Sequence, residues 1–208
     1  MRDYVAWHDD YEQPGSRLHL RLLVVQDLLA DVLDRAAPGP VRFVSICAGQ
    51  GHDVLTVARR HRRGGDLTGR LVELDPTNVS AARASIATAG LGAIEVVEAD
   101  AGSSDAYVGA TSNALVLACG IFGNITDADI ERTITFLPAL CAPGAHVVWT
   151  RYPRGDILER IRAWLARAGF EPYASVVSEE LGFGVGAARF LGEPAPLEPG
   201  VRVFDFVR

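Results

Sequence analysis

Only three cysteines occur in the 208 residues, Cys47, Cys119 and Cys141, and no two stand in a CxxC spacing. So odd and scattered a set excludes a disulfide framework and a thiolate zinc site, and it fits a reducing, cytoplasmic compartment. The opening stretch MRDYVAWHDDYEQPG lacks the apolar core of a secretory leader, and nowhere does the chain approach the ~18 consecutive apolar residues that span a bilayer. Positive charge is in deficit too: 20 Lys+Arg face 26 Asp+Glu, for a net charge of −6 and a pI near 5.3. Without a global positive field, neither nucleic acid nor membrane is expected as a partner, and a small-molecule substrate is. There is no internal repeat, and low complexity is confined to short loops such as APGP at 37–40 and GEPAPLEPG at 192–200. Assembly stays undetermined, with a homodimer open.

What is present is apolar and glycine-rich: 49% hydrophobic residues, 22% charged and 21 glycines, in a length that suits one α/β domain. Leu18, Leu22, Val25, Leu29, Val32 and Leu33 recur at spacings of three and four, which predicts an amphipathic helix over 17–36 with Ser16 as N-cap. From Val41 the period changes. VRFVSIC reads as a strand, AGQG as a glycine turn and 52–62 as a helix. GRLVELD at 69–75, IEVVEAD at 94–100, ALVLACG at 114–120 and AHVVWTR at 145–151 read as further strands. Between them fall helices over 76–89, closed by Gly90, and from Thr126, whose spacing to Asp129 resembles a capping box, to about 140. A helix over 157–168 follows, and GVGAARFLG and GVRVFDFV are expected to close the sheet as an antiparallel pair. Alternating strands and helices need right-handed crossovers, so the predicted fold is a Rossmann-like, doubly wound, three-layer α/β/α domain. Its sheet has seven strands, mostly parallel, with an antiparallel C-terminal edge.

In such a sheet a ligand binds beyond the carboxyl ends of the strands, where strand order reverses beside the first strand. Ser45-Ile46-Cys47-Ala48-Gly49-Gln50-Gly51-His52-Asp53 occupies that place, and Gly49 and Gly51 let backbone approach a ligand ahead of a helix N-terminus. Glu73, near the end of the second strand, can accept both hydrogens of a ribose diol, and Asp100, ending the third, can accept from an adenine amino group. A plain turn, a solvated strand-end acid and a loop cap are the structural alternatives for the three; their register together favours a ligand. A dinucleotide site would need a third glycine where Val54 stands.

On these residues the chain resembles the class I S-adenosylmethionine-dependent methyltransferases: VRFVSICAGQGHD matches the glycine motif, GRLVELDP the ribose motif and VVEADA the adenine motif. ALVLACGIFGNI matches the strand and loop that face the methyl group. The resemblance spans about 41–208 and implies a methyltransferase domain over that range, preceded by a lid segment and helix over 1–40 within one structural unit. It implies S-adenosylmethionine as cofactor. Ala48, Gly49, Gln50 and Gly51 would border the methionine portion, Glu73 and Leu74 the ribose, Asp100 and Ala101 the adenine, and Cys119 and Gly120 the sulfonium side. The family usually has an acid where Ser45 stands and a glycine where Cys47 stands, so the amino-acid end must be held differently. Asp53 can pair with the cofactor ammonium there. Asp75 competes with Glu73 for the diol, but the acid three positions before the proline is the family's, which leaves Asp75 to cap the helix.

Substrate contacts are expected from Trp7, His8 and Tyr11 in a lid over 1–20 hinged at Pro14-Gly15, and from Phe122 and Asn124 in the loop facing the methyl group. Arg151 and Tyr152, just past the fifth strand, could bind an acidic or aromatic acceptor. No catalytic side chain is singled out and no metal is expected, because adjacent residues such as His8, Asp9 and Asp10 rarely converge on one ion. Cys47 and Cys119 lack a cationic neighbour in sequence and read as inert core, as do Trp149 and Trp164. The expected function is methyl transfer to a small molecule. The alternatives are transfer of another group, such as aminopropyl, and a non-catalytic cofactor-binding or interaction protein.

Overall fold

The computed structural model describes residue 11 and residues 13–207. Helix α1 (Arg17–Arg35) begins where the Ser16 hydroxyl accepts the His19 amide at 3.1 Å, and it buries Leu18, Val25, Leu29, Val32 and Leu33 along one stripe. Then come β1 (Val41–Ile46), α2 (His52–Arg60), β2 (Leu67–Glu73), α3 (Pro76–Ala89), β3 (Ile94–Glu98) and β4 (Asn113–Ala118). The chain continues through α4 (Asp127–Phe136), β5 (Cys141–Arg151), α5 (Ile157–Arg167), β6 (Phe170–Ser178) and β7 (Phe183–Phe190).

The strands form one seven-stranded sheet in the order β3-β2-β1-β4-β5-β7-β6, parallel from β3 to β5 and antiparallel at β7 and β6. This is the predicted doubly wound, Rossmann-like architecture. Order reverses between β1 and β4, so the crevice that such a reversal opens lies beyond Ile46 and Ala118. One apolar layer sets α1, α2 and α3 against the sheet through Val25, Leu29, Leu33, Val54, Leu55 and Ala82. The opposite layer packs α4 and α5 through Ile130, Ile134, Ile157, Ile161 and Trp164. No helix among the described residues is long and apolar enough to cross a membrane.

The antiparallel edge differs from expectation in its members. Strand β7 pairs with β6, not with GVRVFDFV. Of β6 only Phe170 is buried, and an outer strand that faces water carries no apolar alternation to announce it; Pro172 is tolerated there because an edge strand can spare a donor. The GVRVFDFV segment instead runs across the loops at the carboxyl edge, through isolated bridges Ser103–Arg202 and Ile125–Phe206, burying its own Val203 and Phe204. Its alternation is real but serves packing on loops.

Candidate functional site

The loops after β1, β2, β3 and β4 converge on a cavity of about 860 Å³, in the size range of small-molecule sites. Beyond β1 the backbone turns through Cys47 (φ 54°), Gly49 (φ 56°) and Gly51 (φ 74°), all left-handed. Cys47 pays a steric cost that a glycine would not, which accounts physically for the glycine usual in the resembling family. The Gly49 amide donates to Glu73 Oε2 at 2.7 Å and the Asp75 amide to Glu73 Oε1 at 2.9 Å, so one carboxylate ties the glycine turn to the turn after β2. Each oxygen retains a lone pair on the cavity wall. Asp75 caps α3, accepting from the amides of Thr77 (2.8 Å) and Asn78 (3.3 Å). Gln50 reaches across to Asn78 Oδ1 at 3.3 Å.

Ala48, Gly49, Gln50, Asp53, Glu73, Leu74, Asp100, Ala101, Cys119 and Gly120 all line this cavity, together with Tyr11 and Asn124. Gly51 does not. A Cβ there would meet Leu71 Cδ1 at 2.9 Å and Leu55 Cδ1 at 3.0 Å, so its bareness serves the fit of α2 onto the sheet. Phe122 is also elsewhere: it is fully buried in the core with its ring 6.3 Å from that of Trp149, because the turn after Gly120 directs it inward. Trp7 and His8 lie outside the described residues.

Asp100 is more committed than expected. Its Oδ1 accepts from the Gly102 amide at 2.8 Å and its Oδ2 from Arg202 at 2.5 Å. Partial burial pushes its carboxyl upward, but the Arg202 and Gly102 hydrogen bonds and the Arg202 charge outweigh it and hold the group below the usual carboxylate range. Beside it the Ala101 carbonyl accepts from the buried Tyr107 hydroxyl at 2.6 Å. On the β4 side, the Gly120 amide donates to Thr150 Oγ1 at 2.7 Å and its carbonyl accepts from Asn124 Nδ2 at 2.8 Å.

Three residues cluster at the remaining end. Arg21 donates to the Tyr11 hydroxyl at 2.5 Å, and Asp53 is buried with its Oδ1 accepting from the Val54 amide at 2.8 Å. Burial pushes the Tyr11 phenol up to about 12, opposed by Arg21 and reinforced by Asp53; burial likewise raises Asp53. The thiols of Cys47 and Cys119 are pushed far up by burial, with further increments from nearby carboxylates. Sequence reasoning missed Arg21, Asn78 and Phe206. Arg21 had a signal: it lies three residues after Leu18 and four before Val25, on the apolar stripe of α1, where a charge is out of place. Phe206 had none, since its position depends on where the tail crosses.

A second cavity, of about 390 Å³, adjoins the first and shares Arg21, Gly120 and Asn124 with it. Arg151 and Tyr152 line this one, as do Arg17, Thr150, Arg154 and Gly182.

A family model described as "Putative methyltransferase" matches residues 15–172. No curated protein matches the chain in sequence. Among solved structures, an O-methyltransferase family protein from Burkholderia thailandensis superposes with a TM-score of 0.67 at 18% identity, over 83% of this chain and 55% of that one. The chain therefore spans little more than half of that protein's length. The 4+2 cyclase SpnF matches with a TM-score of 0.63 at 18% identity, covering 89% of this chain and 85% of its own. An RNA methyltransferase from Salinibacter ruber, in complex with S-adenosyl-L-homocysteine, matches with a TM-score of 0.55 at 21% identity, over 84% and 95%. At these identities the likeness establishes the fold.

Proposed function

The chain belongs to the methyltransferase family whose model covers residues 15–172, and from that premise we propose that it uses S-adenosylmethionine to methylate a small-molecule acceptor. The observation that carries the cofactor is Glu73, a carboxylate already fixed by the Gly49 and Asp75 amides that still offers a lone pair on each oxygen to a vicinal diol. The opposite charges of Asp53 and Arg21 at the far end match the ammonium and carboxylate of a methionine portion. That arrangement answers the absence of an acid at Ser45. Asp100 and Ala101 would border the adenine, with Asp100 also securing its own loop, and Cys119 and Gly120 would face the sulfonium.

Bound there, S-adenosylmethionine would supply a methyl group already activated on a positively charged sulfur, so that an acceptor lone pair could bond to the methyl carbon while the S–C pair leaves with the sulfur as a neutral thioether. The protein's share is alignment and exclusion of water. Tyr11 and α1, through Arg21, Leu22 and Val25, would roof the cavity, with residues 41–208 forming the methyltransferase domain proper; residues 1–10 and 12 of the expected lid lie outside the described residues. Burial raises the Tyr11 phenol and the two thiols, so none of these three serves as a base at neutral pH.

Calorimetry with S-adenosylhomocysteine and with NAD tests the cofactor: micromolar binding of the first and none of the second is expected. Incubation with methyl-labelled S-adenosylmethionine and a metabolite extract then tests transfer. The likeness in fold to a protein named as a cyclase supports a second reading, a role other than methyl transfer. It would be distinguished by tight binding with no label leaving the donor for any small molecule.

A further inference from the structure

The second cavity carries a charge at odds with the molecule around it. The chain as a whole has a net charge of −6, yet Arg17, Arg21, Arg151 and Arg154 all line this space, and among the described residues no Asp or Glu does. Elsewhere the arginines are mostly paired: Arg35 with Asp31, Arg63 with Asp66, Arg70 with Glu95, Arg160 with Asp127, Arg202 with Asp100 and Asp205. Here no side-chain hydrogen bond or ion pair joins Arg17, Arg151 or Arg154 to another described residue. Arg151 Nε is buried without any partner. A buried guanidinium N–H left unmade is costly, and like charges gathered in one recess repel, so an anion bound here would relieve both costs. Burial and the Arg154 charge press the Arg151 guanidinium downward, with Asp127 opposing them.

We propose that this cavity is the acceptor subsite and that it takes an acceptor bearing a carboxylate or phosphate group, held by Arg17, Arg151 and Arg154. This rests on the reading of the main cavity as the methyl-donor site. The shared walls at Gly120 and Asn124 place the recess beside the end assigned to the sulfonium, so a group anchored here would present the rest of its skeleton toward that end. Every one of the chain's 20 basic side chains is arginine, whose planar fork meets both oxygens of a carboxylate or phosphate at once. The Tyr152 ring gives the recess an apolar side: a Cβ on Gly182 would lie 2.6 Å from it, so this glycine lets the ring pack against the turn between β6 and β7.

The test is calorimetric, on the full chain saturated with S-adenosylhomocysteine, using 4-hydroxybenzoate, phenyl phosphate and the neutral 4-hydroxybenzamide as probes. At least one anion is expected to bind about tenfold or more tightly than the amide. In a double variant, Arg17→Gln with Arg154→Gln, that advantage should shrink to about twofold, with S-adenosylhomocysteine affinity retained. Both side chains are exposed, so the variant should fold; Arg151→Gln, checked by its melting curve, is the companion. Which anion wins separates a carboxylate from a phosphate acceptor. Equal binding of amide and anions, an anion advantage that survives loss of the arginines, or no binding of any probe overturns the proposal. If S-adenosylhomocysteine itself fails to bind, the donor reading falls, and the same titrations without it still decide the anion subsite.

Discussion

On the β1–β3 side of the crevice the polar groups that wall the main cavity are already held by the chain: Gly49 and Asp75 by Glu73, Gln50 by Asn78, Asp100 by Gly102 and Arg202. On the β4–β5 side the second cavity is walled by Arg17, Arg151 and Arg154, which have no side-chain partner among the described residues, and Arg151 has a buried, unmatched N–H. The first wall is rigid before any ligand arrives. Preorganisation of this kind suits a ligand common to many reactions, because little ordering cost falls on binding. On the proposed reading the second wall would complete its bonding with an anionic acceptor and so discriminate, since an acceptor without that group would leave Arg151 Nε unmatched.

The sharpest way to break this contrast is at Glu73. Glu73→Ala removes the diol acceptor and the link between two turns together, and should weaken S-adenosylhomocysteine binding by about 2–4 kcal/mol by calorimetry. Asp75→Ala should cost about 1 kcal/mol of folding stability as a lost cap and less in binding. The reverse ranking would move the ribose site to Asp75. At Gly51 the contrast is between fold and ligand. Gly51→Ala should lower stability by about 1–3 kcal/mol in urea titration, since its Cβ meets Leu71 in a left-handed backbone, while cofactor affinity of the folded fraction holds. A large affinity loss with unchanged stability would return Gly51 to the ligand.

Asp53 and Asp100 titrate in opposite senses. Burial raises Asp53, so folding favours its protonated form, and its contribution is lost as pH rises from about 3.9 through the raised value. Asp53→Asn should therefore raise the Tm at pH 7, by about 1 kcal/mol of stability, and at the same time weaken cofactor binding. A fall in Tm would mean that the carboxylate is better paired than its surroundings indicate. Asp100 is held low, so its contribution is present above about 3.9 and fades as pH falls through the lowered value. Arg202→Ala should remove most of that acid-side slope, with well under about 1 kcal/mol lost at pH 7 because the pair is half exposed. An unchanged slope would show that the Gly102 amide alone sets it.

The same contrast governs what could be read in advance. Residues of the first wall come from the ends of consecutive strands, each within a few positions of a glycine, an acid or a proline, so local spacing reveals them. Glu73 as a strand-end acid follows from such spacing, and the resemblance implies Asp75 as the cap; that Glu73 also joins the two turns emerges only from the structure. The second wall draws Arg17 from α1, Arg151, Tyr152 and Arg154 from the loop after β5 and Gly182 from the β6–β7 turn, and only tertiary packing brings those together. Arg151 and Tyr152 were visible as strand-end residues; Arg17 and Arg154 had no signature of their own. The closing strand pair was misassigned for a related reason. An edge strand with one buried residue carries little hydrophobic period, while the tail over 200–207 alternates because it lies on loops.

Burial of Cys47 and Cys119 bears on the protein's own chemical survival. Both sulfurs stand on the wall of a cavity assigned to an alkylating agent, and a thiolate in that position would be a better nucleophile than most metabolites. Their pKa values are pushed far above neutrality, so both stay protonated and a weak match for an electrophilic methyl carbon. If the cavity holds the proposed methyl donor, the same desolvation would protect the protein against methylating its own thiols.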